Sequence, residues 1–332
     1  MKSVLFSILL WFVFQSYAYP VLRGNKKSDV EKPSVLLTIA VVTIRADRRE
    51  EIRNTWLSWG DDRLVLRFFT EAPDESIPEG KYEAIALNKE SEKYGDLVVL
   101  NIERGMNFAI KLLSAMEYMY DRYNFDFFLR LDDDYFLCLD RLLNELEATK
   151  NSLTYSTEMM LYAGHRYCSP GETRIDEAYM LLSGALVNRV LTTENLHCGA
   201  HAGTSAGYWF TVGNEANKDD DVIWINDPRL DHKGMVKDII QDNTLDYSVC
   251  KSHMGVHHIT PNYMSVLWEA SKDEHEFAEF SESETEFTYL TMDTCSHVGQ
   301  GISDEWFSHD NVQPCETFHV KNTKKHCGFE GC

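Results

Sequence analysis

Through the first half of the chain, apolar runs of strand length alternate with stretches whose apolar residues recur at helical spacing. Ser34–Thr43 (SVLLTIAVVT) is rich in β-branched residues and reads as a strand buried on both faces. Asp47–Trp59 follows as a helix with Asp47 as its N-cap. Arg63–Thr70 is the next strand, Glu83–Leu87 a weaker one and Asp96–Ile102 a better one. Met106–Arg122 carries Phe108, Leu112, Ala115, Met116 and Met119 on one helical face. Phe125–Leu131 is a short aromatic and apolar run, the pattern of a core strand. Leu139–Lys150 is a helix with Leu142, Leu143 and Leu146 on one side. Strands alternating with helices predict a mostly parallel, Rossmann-like α/β sheet with right-handed crossovers.

The second half is less regular. Met160–Gly164 and Ala178–Leu182 read as strands, Gly184–Thr193 and Pro261–Ala270 as helices, and His197–Asn217 as a glycine- and alanine-rich loop or insertion. Asp273–Glu286 is an acidic, solvated segment inside a weakly patterned stretch, 271–332, which reads as a C-terminal extension.

One break in the pattern carries chemistry. The Phe125–Leu131 run stops at Asp132, Asp133 and Asp134 and resumes with Tyr135, Phe136 and Leu137. Three adjacent carboxylates repel one another unless a cation offsets their charge. In open α/β sheets, ligands collect just beyond the carboxyl ends of strands. The triplet therefore reads as a site for a hard divalent cation that also holds a phosphorylated ligand. The bland reading is a solvated acidic turn.

Composition narrows the class of partner. The net charge of −21 over 332 residues argues against nucleic-acid binding, which needs clustered Lys and Arg. It leaves room for a nucleotide ligand held through a metal. At the N-terminus, Lys2 precedes the apolar stretch Val4–Phe14, and Ser16-Tyr17-Ala18 offers small residues for cleavage. Residues 1–18 read as a signal peptide, with a short uncleaved signal anchor as the alternative, and 19–33 as a linker. Either version directs the chain into the secretory pathway. Eight cysteines suit that compartment, although Cys138, inside an apolar run, is also readable as a buried free thiol.

Four motifs in register extend the argument. They are Arg48-Arg49-x-x-Ile52-Arg53-x-Thr55-Trp56, then Glu90–Asp96 ahead of the Lys111 helix, then Asp132-Asp133-Asp134, then Val256-His257-x-x-x-Pro261-x-x-Met264-x-x-x-Trp268. Their order and spacing resembles the β-1,3-galactosyltransferase and fringe-like family of inverting glycosyltransferases, over residues 34–270. Within it, RREEIRNTWL and LRLDDDYFLCLDRLLNELE look most like the member that extends the proteoglycan linkage region. The resemblance implies a single catalytic domain of GT-A fold, a UDP-sugar donor (UDP-galactose first), Mn²⁺, and a glycan, glycoprotein or proteoglycan acceptor. It implies residence in the Golgi, on the lumenal face of the membrane if the N-terminus is retained.

The resemblance assigns roles residue by residue. Asp134 would ligate the metal and His257 would supply an imidazole, a mixed set that suits Mn²⁺ better than Ca²⁺. Asp132 and Asp133 would meet the ribose or the sugar. Asp221, in Asp219-Asp220-Asp221-Val222, matches the family's base; the competing reading is an acidic N-cap for a following helix VIWI. Arg49 and Arg53 would contact the diphosphate or uracil, or else pair with Glu50, Glu51 or Asp96. Tyr94-Gly95-Asp96 and Lys111 read as architectural, Trp56 and Trp268 as core. The chain departs from the family pattern at Cys168–Ala178, at Ile225, where a glycine is usual, and in the His197–Asn217 insertion. Those departures lie on the acceptor side. They keep open a secreted lectin or chaperone that retains the fold without catalysis; a metal-dependent hydrolase is a third reading.

Overall fold

The computed structural model describes residues 31–58, 60–102, 104–169, 172–211, 222–231, 249–272 and 313–315. The signal segment, most of the linker, Asp219–Asp221 and nearly all of 273–332 lie outside the described residues. Among the described residues, no helix is long and apolar enough to cross a membrane.

Elements alternate as the pattern predicts: β1 (Ser34–Val42), α1 (Ala46–Asn54), β2 (Leu64–Glu71), α2 (Pro78–Tyr94), β3 (Leu97–Leu100), α3 (Phe108–Arg122) and β4 (Asn124–Asp132). There follow β5 (Phe136–Leu137), α4 (Leu139–Asn151), β6 (Met160–Ser169), β7 (Glu172–Ser183), α5 (Gly184–Thr192), β8 (His197–Cys198) and α6 (Ala202–Thr211). The last are β9 (Val222–Asn226), β10 (Leu230–Asp231), β11 (Gly255–Val256), α7 (Pro261–Ser271) and β12 (Gln313–Pro314). The main sheet has seven strands in the order β3-β2-β1-β4-β7-β6-β9. β1 to β4 are mutually parallel, β7 alone runs antiparallel, and β6 and β9 point the same way as β4. This is the mostly parallel α/β sheet expected of a GT-A domain.

Both faces of the sheet are covered, so its strands read as continuous apolar runs. One face buries Leu37, Ile39, Phe127, Leu129 and Leu131 against Ile52 of α1 and Trp56 just after it, Leu87 of α2, Leu142 and Leu146 of α4, and Met264 and Leu267 of α7. The other buries Ala40, Phe69 and Phe128 against α3, α5 and α6. Trp56 is core and Trp268 packs against it, as their sequence context predicts.

Several expectations need correction. Glu83–Leu87 is not a strand but the middle of α2, and Glu90–Tyr94 ends that helix rather than opening β3. Pro78 at its start and Gly95 in a left-handed conformation (φ 68°) at its end are the stop and start signals that decide this. His197–Asn217 is no plain loop, since Ala202–Thr211 is helical and packs Ala202, Ala206 and Trp209 into the core. VIWI is a strand, β9, so the helix N-cap reading of the preceding aspartates fails. Cys138 is disulfide-bonded to Cys250, and Cys198 to Cys315.

Candidate active site

The three aspartates sit where β4 leaves the sheet, level with the end of β1, since Val42 pairs with Asp132. The chain then turns into the small strand β5, which pairs antiparallel with β11, Phe136 opposite Val256. That pairing delivers His257 and His258 to the aspartates. The backbone N–H of Ile259 donates to the Asp134 carbonyl (2.9 Å), and the Cys138–Cys250 bridge lies just behind, Cys138 N–H donating to Met254 O at 3.0 Å.

Asp134 and His257 meet as the resemblance implies. His257 Nε2 is 3.2 Å from Asp134 Oδ1 and 3.8 Å from an oxygen of Asp132. His258 was not singled out for a role, yet its Nδ1 is 3.7 Å from Asp134 Oδ2 and its ring stacks on His257 at 3.8 Å. It gets there with φ 59°, a left-handed backbone that costs about 1 kcal/mol for a residue with a Cβ. Asp134, His257 and His258 each offer one ligand atom, and these atoms all lie within 4.8 Å of one another. A carboxylate oxygen with imidazole nitrogens is a set suited to a borderline divalent cation.

Electrostatics separate the three acids. Burial pushes Asp132 up to about 6; Arg130, 2.7 Å away, pulls against that, and the charge on Asp134 adds to it. Asp133 is also raised by burial, opposed by Arg48 and Thr43. Asp134 goes the other way: hydrogen bonds from His257 and His258 outweigh its burial and hold it below the carboxylate range. Burial opposes charging of His257, but Asp134 and then Asp132 outweigh it and raise the imidazole. Raised folded values for Asp132 and His257 mean that the folded chain keeps protons the unfolded chain would release. Stability of the metal-free protein is therefore expected to fall as pH climbs from about 5 through 7. A thermal-melt series across that range should show the drop, and Asp132→Asn should flatten it.

Arg48 is the site residue the motif contained but the role assignment passed over. Its Nη1 bonds Asp133 at 2.6 Å and stands 3.6 Å from Asp134. Arg49 and Arg53, expected at the diphosphate, point elsewhere. Arg49, fully buried, forks onto Glu90 at 2.8 and 2.5 Å; Arg53 forks onto Asp96 at 2.8 Å twice and reaches Glu90 at 2.9 Å. Both guanidiniums tie α1 to the end of α2: Arg53 pairs with Asp96 as expected, whereas Arg49 pairs with Glu90 rather than with Glu50, Glu51 or Asp96. The physical reason is helical phase: successive residues on α1 lie about 100° apart, so only one of the adjacent pair faces the strand ends. Lys111, paired with Glu71, is likewise architectural.

Asp221 lies outside the described residues. Its neighbour Val222 pairs with Met160, two residues before Tyr162, and Tyr162 stands level through Leu182 with Phe128. Val222 is thus level with the beginning of β4, about 20 Å along the strand direction from Asp132. The carboxylates that the structure does bring to the Asp134 edge are Asp176 and Glu177. β7 runs antiparallel, so its early residues lie where β4 ends, and Tyr179 faces Leu131.

Residues 47–185, from α1 through the aspartates to the start of α5, match the galactosyltransferase family model. The matched segment is less than half of the chain, and over it the chain is similar to that family. Together with the relative that follows, the match supports a glycosyltransferase enzyme. It is 27% identical over 229 residues to mouse β-1,3-galactosyltransferase 6, a span covering 61% of this chain and 67% of the mouse protein. Solved structures similar to this chain include a glycosyltransferase involved in glycosylation of the major capsid of PBCV-1. That one is 11% identical with a TM-score of 0.34, covering 70% of this chain and 98% of the other. Another is the galactosyltransferase LgtC with donor and acceptor sugar analogs, 10% identical with a TM-score of 0.35, covering 74% and 98%. At such scores the fold statement stands on the strand order alone.

Proposed function

We propose that this chain transfers a hexose, galactose in the first place, from a UDP-sugar to a glycan hydroxyl with inversion, forming a β-1,3 linkage. The observation that carries the reading is the convergence of Asp134, His257 and His258 at the carboxyl end of β4, inside a family segment that already includes the three aspartates. The residues fit a divalent cation such as Mn²⁺: oxygen and imidazole donors lie together, and among the described residues the three carboxylates form ion pairs with the guanidiniums of Arg48 and Arg130. A cation bound there supplies charge neutralisation for a departing diphosphate.

The remaining work falls to the chain itself. Asp134, kept ionised by its histidines, and His257 would hold the ion. Asp132 and Asp133 are offered to the ribose or sugar hydroxyls, Asp133 being steered by Arg48. Arg48 also supplies a positive charge beside the position of the phosphates. Residues 34–270 would form the transferase domain, working in the lumen of the secretory pathway, in the Golgi, on a glycoprotein or proteoglycan acceptor.

The test is a donor screen on the secreted protein with Mn²⁺ and mixed acceptors, the linkage of the product being read by NMR. Transfer from UDP-galactose with a β-1,3 product is expected. Hydrolysis of the donor without transfer, or tight glycan binding with no turnover of any donor, would overturn the reading in favour of a hydrolase or a lectin.

A further inference from the structure

An inverting transfer needs a base on the acceptor side, at the same sheet edge as Asp134. Asp221, the residue the resemblance nominates, lies outside the described residues. The Asp134 edge itself holds a histidine–carboxylate pair. Glu177, two residues before Tyr179 on β7, lies against the N-terminus of α6. One of its oxygens accepts the backbone N–H groups of Ala202 (2.6 Å) and Gly203 (3.3 Å), and the other accepts His201 Nδ1 at 3.0 Å.

We propose that His201, oriented by Glu177, is the general base that takes the proton from the acceptor hydroxyl; the inference rests on the transfer reading above. A carboxylate that receives Nδ1–H selects the tautomer whose Nε2 carries a lone pair. The same carboxylate stabilises the imidazolium that proton uptake creates. The imidazole is partly exposed (42%), as a group that meets an incoming substrate must be, and stacks on Phe108 at the head of α3. Glu177 is the more enclosed partner. Burial opposes its charge, but His201, Arg130 and the hydrogen bond outweigh this and keep it ionised. Tyr179 pairs with Leu131, so Glu177, two residues earlier on the antiparallel β7, lies at the end of the sheet where β4 runs on into Asp132 and Asp133.

The close seating of α6 is built into the sequence. A Cβ on Gly203 would come within 2.8 Å of the Ile175 carbonyl and 3.4 Å of the Glu177 nitrogen. Only glycine lets the helix start approach β7 near enough for its N–H groups to hold the carboxylate. In the step itself, the hydroxyl proton passes to His201 Nε2 and the acceptor oxygen bonds the anomeric carbon. The carbon–oxygen bond to the diphosphate breaks, and its electron pair leaves with UDP. His201 then returns the proton to solvent.

The experiment uses the full chain with UDP-galactose, Mn²⁺ and the acceptor found in the donor screen. His201→Ala should lower kcat for transfer by about 10²- to 10⁴-fold. The KM for UDP-galactose and the affinity for UDP with Mn²⁺ should change less than about twofold, since they depend on other residues. Added imidazole should restore at least about tenfold of the loss in His201→Gly, a rescue that a merely structural role would not allow. Glu177→Gln, a positioning change, should reduce kcat with the same unaltered donor KM. Wild-type transfer by His201→Ala, or loss confined to Asp221→Asn, would overturn this inference and leave the transfer reading intact. A wild type that moves no sugar would overturn both.

Discussion

Asp134→Ala is expected to abolish metal-dependent transfer, with a fall in kcat of about 10³-fold or more. Four kcal/mol of lost charge stabilisation in the transition state corresponds to roughly that factor. Part of any loss can come from stability, because Asp134 is held ionised by His257 and His258 and its removal takes those contacts from the metal-free fold. Two measurements separate the causes. Turnover of UDP-galactose as a function of Mn²⁺ reports the chemistry. The rise in Tm on adding Mn²⁺ reports binding, because a ligand that prefers the folded state stabilises it by mass action. The wild type should show both and the variant neither, with a metal-free Tm lower than wild type but still well above the assay temperature. Mn²⁺-dependent turnover that survives in Asp134→Ala would remove Asp134 from the metal site. His258→Ala should produce a smaller version of the same result, since its ring is more exposed than that of His257 and its nitrogen stands farther from Asp134.

The second large effect concerns Cys138–Cys250. The bridge closes a loop with a sequence separation of 112 residues. For a loop of that order, chain entropy in the unfolded state puts its contribution at roughly 5 kcal/mol, the top of a usual range of about 2–5. It also stands at the base of the β5–β11 pairing, four positions after Asp134 and seven before His257. Replacing both cysteines by serine should therefore lower the urea midpoint substantially and weaken Mn²⁺ binding, because the two halves of the ligand set come from the two tied segments. Urea unfolding under non-reducing conditions, paired with a Mn²⁺ titration by thermal shift, checks both. An unchanged midpoint would mean that the bridge is absent from the secreted protein. A lowered midpoint with unchanged Mn²⁺ affinity would mean that β-pairing alone holds the site.

Much of the donor half was legible in the sequence because its signals are local. A strand covered on both faces is a run of apolar residues, and carboxylates where such a run ends cannot be core, so β4 and Asp132–Asp134 announce themselves together. The Val256–Trp268 motif carried His257 with it. The acceptor half was less legible. Asp176 and Glu177 form the same kind of acidic step at the edge of an apolar run, but on a strand that enters the sheet there rather than leaving it. Without the direction of β7, nothing in IDEAYMLLS says that this edge is the Asp134 edge. His201 lies in a segment rich in glycine and alanine, whose small residues read as loop. They are small because α6 packs tightly on β7.

The sequence by itself determined the alternating α/β architecture, the core strands and the acidic end of β4, since each follows from residue spacing within one element. Only the tertiary structure decided which face of α1 the arginines present, which cysteine closes on Cys138, and which edge of the sheet Val222 and Glu177 occupy. Those outcomes depend on strand direction and register between segments far apart in the chain, and the spacing of residues within a segment carries no information about either.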